Sequence, residues 1–235
     1  MITFLGTSHA ATHLREAAEK KGLQVTGNMY DTDIIFVSED TPTDKEGKRN
    51  LEPIRDRVMF AAQFEKPIVL TSQVPPGFTR SLGIQRIYHQ AETLRIKDAM
   101  ARALAPEYIA VGRPVICSYS LLPEEYRRYL EAFDCPVHVM TYEDAEFSKI
   151  AVNMMLAAQV DQTNRLAEAA MRSGACWEIV ARAIACDSRI GPHAYLKPGR
   201  WEDSPHLYRD FVTLEEILGR KDEPRWIPHR GTLAL

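Results

Sequence analysis

Short apolar segments alternate with helix-like segments along the first part of the chain, and this order constrains the fold more than any other feature. A strand is predicted at Ile2–Leu5, a helix from His9 to Lys21, and another strand at Ile34–Val37. The unbroken apolar run of Ile34–Val37 is typical of a strand that is buried on both faces. Alternation of this kind predicts an α/β fold with a mostly parallel sheet that helices cover on both sides.

The alternation continues to residue 140. Further strands are predicted at Gln24–Thr26, Pro67–Leu70, Ile84–Tyr88, Tyr108–Val111, Val115–Ser118 and Val137–Met140. Further helices are predicted at Leu51–Phe64, Glu92–Ala105 and Pro123–Phe133.

The second part of the chain is predicted to be mainly helical. No Gly or Pro occurs between Pro136 and Gly174. After the last strand, about 30 residues can therefore form one long helix. A second helix is predicted at Trp177–Ala185, a loop at Cys186–Asp210 and a short helix at Leu214–Leu218.

The composition is that of an ordinary globular chain of 235 residues, with 45% hydrophobic and 26% charged residues. The net charge of −3 gives no indication of a nucleic-acid or membrane partner. The chain has neither the apolar run of a transmembrane helix nor the start of a signal peptide, so a cytoplasmic location is expected. The cysteines are then expected to be free thiols: Cys117, Cys135, Cys176 and Cys186.

The turn after the first strand is a candidate cofactor site, because a dinucleotide's pyrophosphate binds where a strand turns into a helix. The usual fingerprint there is GxGxxG, and this chain has Gly6, Ser8 and Ala11 at the three glycine positions, with His9 between them. Ala is tolerated at the third position, whereas Ser8 adds a side chain where close approach is needed. A plain strand–turn–helix connection without a ligand explains the same residues equally well.

Two polar pairs are further candidates. Asn28 and Asp31 follow the second predicted strand, where a ribose-binding residue is expected, although both are also common turn residues. Lys149 and Asn153 are four residues apart, so they share one face of the long helix. Together they can hold a substrate oxygen while a hydride leaves its carbon, but a solvated helix face is the commoner explanation.

Five segments, in order along the chain, resemble the UDP-glucose/GDP-mannose dehydrogenases. Asp33–Val37 with Thr41-Pro42-Thr43 resembles the family's strand and TPT loop, Val74–Arg80 its VPPGTTR turn, Gln90–Arg95 its NPEFLR segment, Ala145–Asn153 its AELIKYAxN helix start, and Asp187–Pro192 its DxRIGP segment. No one segment is decisive, but five in the right order indicate a common fold. The resemblance implies a Rossmann-like, mostly parallel, doubly wound sheet in residues 1–142. A long central helix and a small helical dimerisation region, with a C-terminal loop and tail, are then expected in residues 143–235.

The resemblance also implies roles for individual residues. The first turn and Thr41-Pro42-Thr43 would contact NAD, and Glu92 would be a base or a water-positioning group near the reacting carbon. Lys149 and Asn153 would steady the substrate oxygen and the oxyanion. Arg189 would reach a sugar-nucleotide phosphate, often across a subunit boundary. The family oxidises an alcohol to an acid by two hydride transfers to two NAD molecules, and the second transfer needs a Cys nucleophile.

The chain departs from this pattern at several positions. His206 stands where the family has its catalytic Cys, and imidazole cannot form a stable thiohemiacetal, whereas Asp210 matches the Asp that ends the same motif. Met29 replaces the ribose-binding Asp, Gln73 replaces a Thr in the cofactor-binding half, and Ile96 replaces the second Glu of PEFLREG. The cofactor-binding half is shortened, and the family's nucleotide-sugar-binding domain is expected to be absent.

Two hypotheses follow from these matches and departures. In the first, the protein is an NAD-dependent oxidoreductase that performs a single alcohol oxidation on a small molecule such as a sugar nucleotide. Glu92, Lys149, Asn153 and Asp210 would bind the alcohol and accept its proton, as in simpler hydroxyacid dehydrogenases.

In the second hypothesis, the protein is a non-catalytic NAD- or partner-binding homologue with an assembly or regulatory role. It would form a homodimer through the central helix, which presents Phe147, Met154 and Met155. No metal is expected, because the polar residues of the predicted loop fit no standard ligand spacing. Those residues are His193, Glu202, Asp203 and His206.

Overall fold

The computed structural model describes residues 1–115 and 118–220. Residue contacts divide the chain into two compact units. Unit 1 consists of Met1–Asp44 and Arg49–Lys149, and unit 2 consists of Lys45–Lys48 and the residues from Ile150 onward. The division therefore lies within the long helix, whereas the sequence predicted a boundary after residue 142.

Unit 1 is built on a six-stranded sheet whose strands follow one another in chain order. The strands are β1 (Ile2–Leu5), β2 (Ile34–Val37), β3 (Ile68–Leu70), β4 (Ile87–Gln90), β5 (Ile109–Arg113) and β6 (Val137–Thr141). Strands β1 to β4 are parallel neighbours, β5 is antiparallel to β4, and β6 is parallel to β5. The prediction of a mostly parallel sheet is thus confirmed.

The sheet is covered on both faces, as the apolar run of β2 predicted. Ile34 and Phe36 belong to one buried cluster and Ile35 and Val37 to another, because successive side chains of a strand point to opposite faces. Helices α1 (His9–Lys20), α4 (Ala99–Leu104) and α5 (Glu124–Glu131) contribute to the first cluster, and α2 (Glu52–Ala62) and α3 (Phe78–Ser81) contribute to the second.

Three predicted elements of unit 1 differ from the structure, and a fourth lies partly outside the described residues. Gln24–Thr26 forms only a single bridge, between Val25 and Ile2. The predicted strand Ile84–Tyr88 occurs later in the chain, as β4. The predicted helix Glu92–Ala105 begins only with a 3₁₀ turn at Ile96–Asp98, because Glu92 accepts a hydrogen bond from the Leu94 amide and holds the preceding residues in a loop. The predicted strand Val115–Ser118 contains two residues that lie outside the described ranges.

Unit 2 contains the greater part of α6 (Tyr142–Ser173), which confirms the predicted long helix, together with α7 (Trp177–Ile184) and α8 (Pro205–Ile217). The predicted loop Cys186–Asp210 is wrong at its end, because α8 begins at Pro205 and includes His206 and Asp210. Pro205 favours a helix start here, since its missing N–H is not needed in the first turn. The short helix predicted at Leu214–Leu218 is the end of α8.

Residues 195–203 lie along α6 and end in a 3₁₀ turn at Trp201–Asp203, and we call this segment the strap. Four side chains of α6 hold it by hydrogen bonds to its backbone and to the Trp201 indole. Gln159 accepts from the Tyr195 amide (2.9 Å), Thr163 donates to the Tyr195 carbonyl (2.8 Å), Asn164 bonds both the amide and the carbonyl of Gly199 (2.9 and 2.8 Å), and Asp161 accepts from Trp201 Nε1 (2.8 Å). Trp201 and Phe211 then form a buried cluster with Ala157 and Val160 of α6.

Candidate functional site

The order in which the chain adds strands to the sheet changes direction at β1, and in open α/β sheets such a point marks a crevice at the carboxyl ends of the strands. Val25 bridges one edge of β1 and β2 pairs with the other edge. In open α/β sheets, ligands bind at such a switch point. The turns that follow β1 and β2 border the crevice, and these begin at Gly6 and Ser38.

Ser8 closes the first of these turns onto the second. It is the N-cap of α1 and is only 2% exposed. Its Oγ accepts a hydrogen bond from the Ala11 amide at 3.0 Å. The same Oγ lies 2.9 Å from both the carbonyl oxygen and the Oγ of Ser38. One hydroxyl thus joins the start of the helix to the loop after β2.

Gly6 is required for this close approach of the two turns. Its φ is +120°, and a Cβ at this position would lie 1.9 Å from the Ser38 carbonyl oxygen. Any other residue would push the turns apart. The first glycine of the fingerprint therefore has a clear structural role here.

A carboxylate lies beside the same turn. Glu39 follows Ser38, its side chain is 12% exposed, and it forms an ion pair with Arg57 Nε at 2.6 Å. The Glu39 amide donates to Ser72 Oγ at 2.8 Å, which links the loops after β2 and β3. Hydrogen bonds among its own residues therefore hold the border of the crevice together, and the Glu39 carboxylate is already paired with Arg57.

The residues at the crevice do not fit the pyrophosphate of NAD. A pyrophosphate needs close backbone approach at the second glycine position, together with free amides in the first turn of the helix. Ser8 occupies that position and its Oγ takes the Ala11 amide. His9 is exposed, and its ring lies 4.1 Å from that of His13 rather than over the turn.

Asn28 and Asp31 form a local turn. Asn28 Nδ2 donates to Asp31 Oδ2 at 2.6 Å, and Asn28 Oδ1 accepts from the Tyr30 amide at 3.1 Å. A local turn was the alternative to ribose binding for these two residues, and the two hydrogen bonds are those of such a turn. A contact of either residue with a ribose stays a prediction.

The TPT loop is held mainly by its own backbone. Thr43 Oγ1 donates to the Thr41 carbonyl at 3.0 Å, and the Pro42 carbonyl accepts from the Asn50 amide at 2.7 Å. Thr41 is buried, whereas Gln73, in the loop after β3, is half-buried. The assignment of these residues to NAD stays a prediction.

A buried carboxylate that the sequence analysis did not single out holds the VPPG turn. Glu146 of α6 is 1% exposed and accepts from the Gly77 amide at 2.6 Å and the Thr79 amide at 2.8 Å. Burial raises the pKa of this carboxyl. Beside it, Glu143 binds Arg80 with distances of 2.5 and 2.8 Å. The VPPGFTR turn and the AEFSK segment, both of which resemble segments of the family, therefore bind each other. Their joint presence in the sequence is the signal that could have indicated this contact.

Two candidate catalytic residues lie in unit 1. Glu92 lies two residues after the end of β4, is half-buried, and accepts a hydrogen bond from the Leu94 amide. Lys149 is half-buried on α6, four residues before Asn153 on the same helix. Their catalytic roles stay predictions.

Asn153 and Asp210 form a buried pair in unit 2. Asn153 Nδ2 donates to Asp210 Oδ2 at 2.6 Å, and the two residues are 7% and 0% exposed. Two residues separated by 57 positions in sequence, both predicted to belong to the site, are thus in direct contact. His206 lies one turn before Asp210 on α8 and is exposed.

Arg189 is an exposed residue of unit 2. Its side chain is 85% exposed and binds Asp187 through Nη2 at 2.7 Å and through Nε at 3.0 Å. The pair belongs to the DxRIGP segment itself. Contact with a sugar-nucleotide phosphate stays a prediction.

Metal ligands, membrane helices and cysteine thiols are the remaining features of the described residues. No group of three or more His, Cys, Asp or Glu side chains there is arranged to hold a metal ion. No helix in the described ranges is both long enough and apolar enough to cross a membrane. Cys135, Cys176 and Cys186 are free thiols, and Cys117 lies outside the residues that the structure describes.

Comparison with known proteins identifies relatives of the chain. Residues 143–222 match the central domain of the UDP-glucose/GDP-mannose dehydrogenase family. The UDP-glucose 6-dehydrogenase YwqF of Bacillus subtilis is 28% identical over 218 residues, which cover 87% of this chain and 47% of that protein. The UDP-glucose 6-dehydrogenase of Pseudomonas aeruginosa is 25% identical over 201 residues, which cover 77% and 44%. The chain spans about half the length of these relatives.

Solved structures share the fold. A UDP-glucose dehydrogenase of Pyrobaculum islandicum has a TM-score of 0.71 at 20% identity, with 94% of this chain and 65% of that chain covered. The 3-hydroxyisobutyrate dehydrogenase of Mycobacterium tuberculosis has a TM-score of 0.65 at 15% identity, with 96% and 89% covered. The solved structures show a Rossmann-like fold for this chain, and residues 143–222 are similar to the central domain of the sugar-nucleotide dehydrogenases. The relatives of the chain are the UDP-glucose/GDP-mannose dehydrogenases, and the resemblance predicted from the sequence is confirmed.

Proposed function

We propose that this protein is a non-oxidising relative of the sugar-nucleotide dehydrogenases, and that it acts by binding, as an assembly or regulatory protein. The closed crevice carries this proposal. Ser8 occupies the position where the pyrophosphate of NAD would approach the backbone, and its Oγ takes the Ala11 amide, which is one of the first-turn amides that a phosphate would bind. Without bound NAD, the crevice offers no acceptor for a hydride.

The proposed binding partner is a second copy of the chain. Val152, Met155 and Leu166 of α6 share one side of the helix and are 41%, 65% and 40% exposed. Apolar side chains in such a row favour a partner that covers them. A homodimer through the central helix, in the cytoplasm and without nucleic acid, is therefore part of the proposal.

A second candidate function is an NAD-dependent oxidation of one alcohol group. The buried pair of Asn153 and Asp210 supports this second function. A helix face with a purely structural role does not require a buried carboxylate that accepts a hydrogen bond from a side-chain amide. In this alternative Lys149 and Asn153 hold the substrate oxygen, Glu92 or Asp210 accepts the proton, and Arg189 binds a sugar-nucleotide phosphate. His206 in place of the Cys would end the reaction after one step.

One experiment separates the two functions. The purified chain is heated with and without NAD, and it is also incubated with NAD and a panel of UDP-glucose, GDP-mannose and small hydroxy acids. We expect an unchanged melting temperature, since only a ligand that binds the folded state raises it, and we expect no NADH. An active UDP-glucose 6-dehydrogenase serves as the positive control. Formation of NADH with any substrate would establish the second candidate instead.

A further inference from the structure

The hydroxyl of Ser8 is the central atom of the closed crevice. It binds the Ala11 amide on one side and the carbonyl and hydroxyl oxygens of Ser38 on the other. Ser8 and Ser38 are each 2% exposed, so both groups are shielded from water. Their polar atoms are satisfied by each other and by the backbone.

A phosphate oxygen would compete directly with this hydroxyl. Ser8 Oγ lies at hydrogen-bond distance from the Ala11 amide, which is the place of a phosphate oxygen bound at a helix N-terminus. Turning Ser8 away would free this amide, but it would also leave the buried oxygens of Ser38 without their contact to Ser8. Burying polar groups without hydrogen bonds is unfavourable, so the closed arrangement is preferred over the liganded one.

The charge beside the turn acts in the same direction. The Glu39 carboxyl carbon lies 3.4 Å from the place that a Cβ on Gly6 would occupy. A pyrophosphate in the turn would therefore meet a carboxylate. Arg57 forms an ion pair with that carboxylate, so its guanidinium is not available to bind a phosphate in the turn.

We propose that Ser8 is the residue that excludes dinucleotides and nucleoside diphosphates from the crevice. This inference rests on the proposed function and adds the side chain that determines it. The rest of the crevice keeps its geometry, with Gly6 at the first glycine position and Ala11 at the third. Removing the Ser8 side chain is therefore expected to weaken the exclusion of a pyrophosphate, although the Glu39 carboxylate stays beside the turn.

The test compares the full-length wild-type chain with Ser8→Gly and Ser8→Ala, using NAD and ADP as probes in calorimetric titration and thermal unfolding. Glycine is accepted at an N-cap, so Ser8→Gly is expected to fold. We expect Ser8→Gly to bind NAD roughly tenfold or more tightly than wild type, because the amide and the space above it become available. Ser8→Ala keeps the Cβ, so it is expected to bind more weakly than Ser8→Gly.

The matched control is Ser118→Gly, which removes another capping serine, bonded to the Ser120 amide and distant in sequence. It must leave NAD binding at the wild-type level. A folded Ser8→Gly variant that fails to bind either probe would overturn the role of Ser8 and leave the proposed function standing. NADH formation by the wild-type chain would instead contradict the proposed function. NAD binding by wild type would contradict the exclusion itself.

Discussion

His89 of β4 is a titratable side chain that unit 1 keeps uncharged. It is 2% exposed, and its Nδ1 has no hydrogen-bond partner among the described residues. Burial lowers the pKa of its imidazole from 6.5 to about 3. Protonation of His89 is therefore far more favourable in the unfolded chain than in the folded chain, and folding depends on pH through this residue.

The free energy of unfolding is expected to fall as the pH decreases from 6.5 toward 3. In this range the unfolded chain binds a proton that folded His89 does not, so the slope is at most about 1.4 kcal/mol per pH unit. Urea unfolding at pH 7 and pH 5 measures it. His89→Leu is expected to show a smaller decrease. His138→Gln, which replaces an exposed histidine of β6, is the control and is expected to keep the wild-type slope. Equal slopes in all three proteins would contradict this role of His89.

At the level of elements, the junction between the VPPG turn and α6 shows how two distant segments stabilise each other. Glu146 accepts two backbone amides of the turn, whereas Glu143, one helical turn earlier, binds Arg80 at the surface. The two acidic residues lie on the same helix but differ in burial. Burial decides how much each one contributes, because water competes with the exposed pair.

Glu146→Ala is expected to lower the free energy of unfolding by about 2 kcal/mol, since two amides lose a buried acceptor. Glu143→Ala is the matched control, with an expected loss of about 0.2–1 kcal/mol, because its ion pair is exposed. Urea unfolding at pH 7 measures both variants. An equal loss in the two variants would mean that Glu146 does not hold the turn.

For the whole molecule, the exposed side of α6 determines the expected assembly. Met155 and Met171 are similarly exposed, at 65% and 61%. The 16 positions between them place them about 160° apart around the helix axis. Met154, which the sequence assigned to the dimer surface, packs instead against the core of unit 2. Phe147 is 39% exposed, as that assignment requires.

We expect the chain to be a dimer in solution, with twice the chain mass of 26.7 kDa. Met155→Glu is expected to convert it to a monomer, because a charge would be buried in the interface. Met171→Glu introduces the same charge on the other side of the helix and is expected to leave the dimer intact. Light scattering after size-exclusion chromatography gives the masses. A monomeric wild type, or dissociation by both substitutions alike, would contradict the assembly through this side of α6.

The sequence predicted strands at or near β1 to β6 and the long helix α6, because these elements depend on local apolar patterns and on the absence of Gly and Pro. It also predicted the residues of the Asn153–Asp210 pair, through the resemblance. The start of α8 was missed, because a segment rich in Pro, Gly and charge resembles a loop until packing against α6 stabilises the helix.

Contacts between distant positions were also missing from the prediction. The Ser8–Ser38 bond joins residues 30 positions apart, and the bonds of Glu146 to the turn span 67 and 69 positions. No periodicity encodes such pairs. Likewise, nothing in the local sequence assigns Lys45–Lys48 to unit 2. Within that unit Gly47 lies so close to Val212 that a Cβ on Gly47 would be 2.6 Å from Val212 Cγ2.

The strap has a consequence for how fast its amide protons exchange with solvent. The amides of Tyr195 and Gly199 lie outside helices and strands, yet both donate hydrogen bonds to side chains of α6. Exchange at these two positions requires the strap to separate from the helix, so both are expected to exchange more slowly than ordinary loop amides. In Asn164→Ala, deuterium uptake at Gly199 is expected to accelerate, while α6 itself keeps its slow exchange. The Tyr195 and Gly199 amides, which belong to no helix or strand, would then report directly on the opening of unit 2.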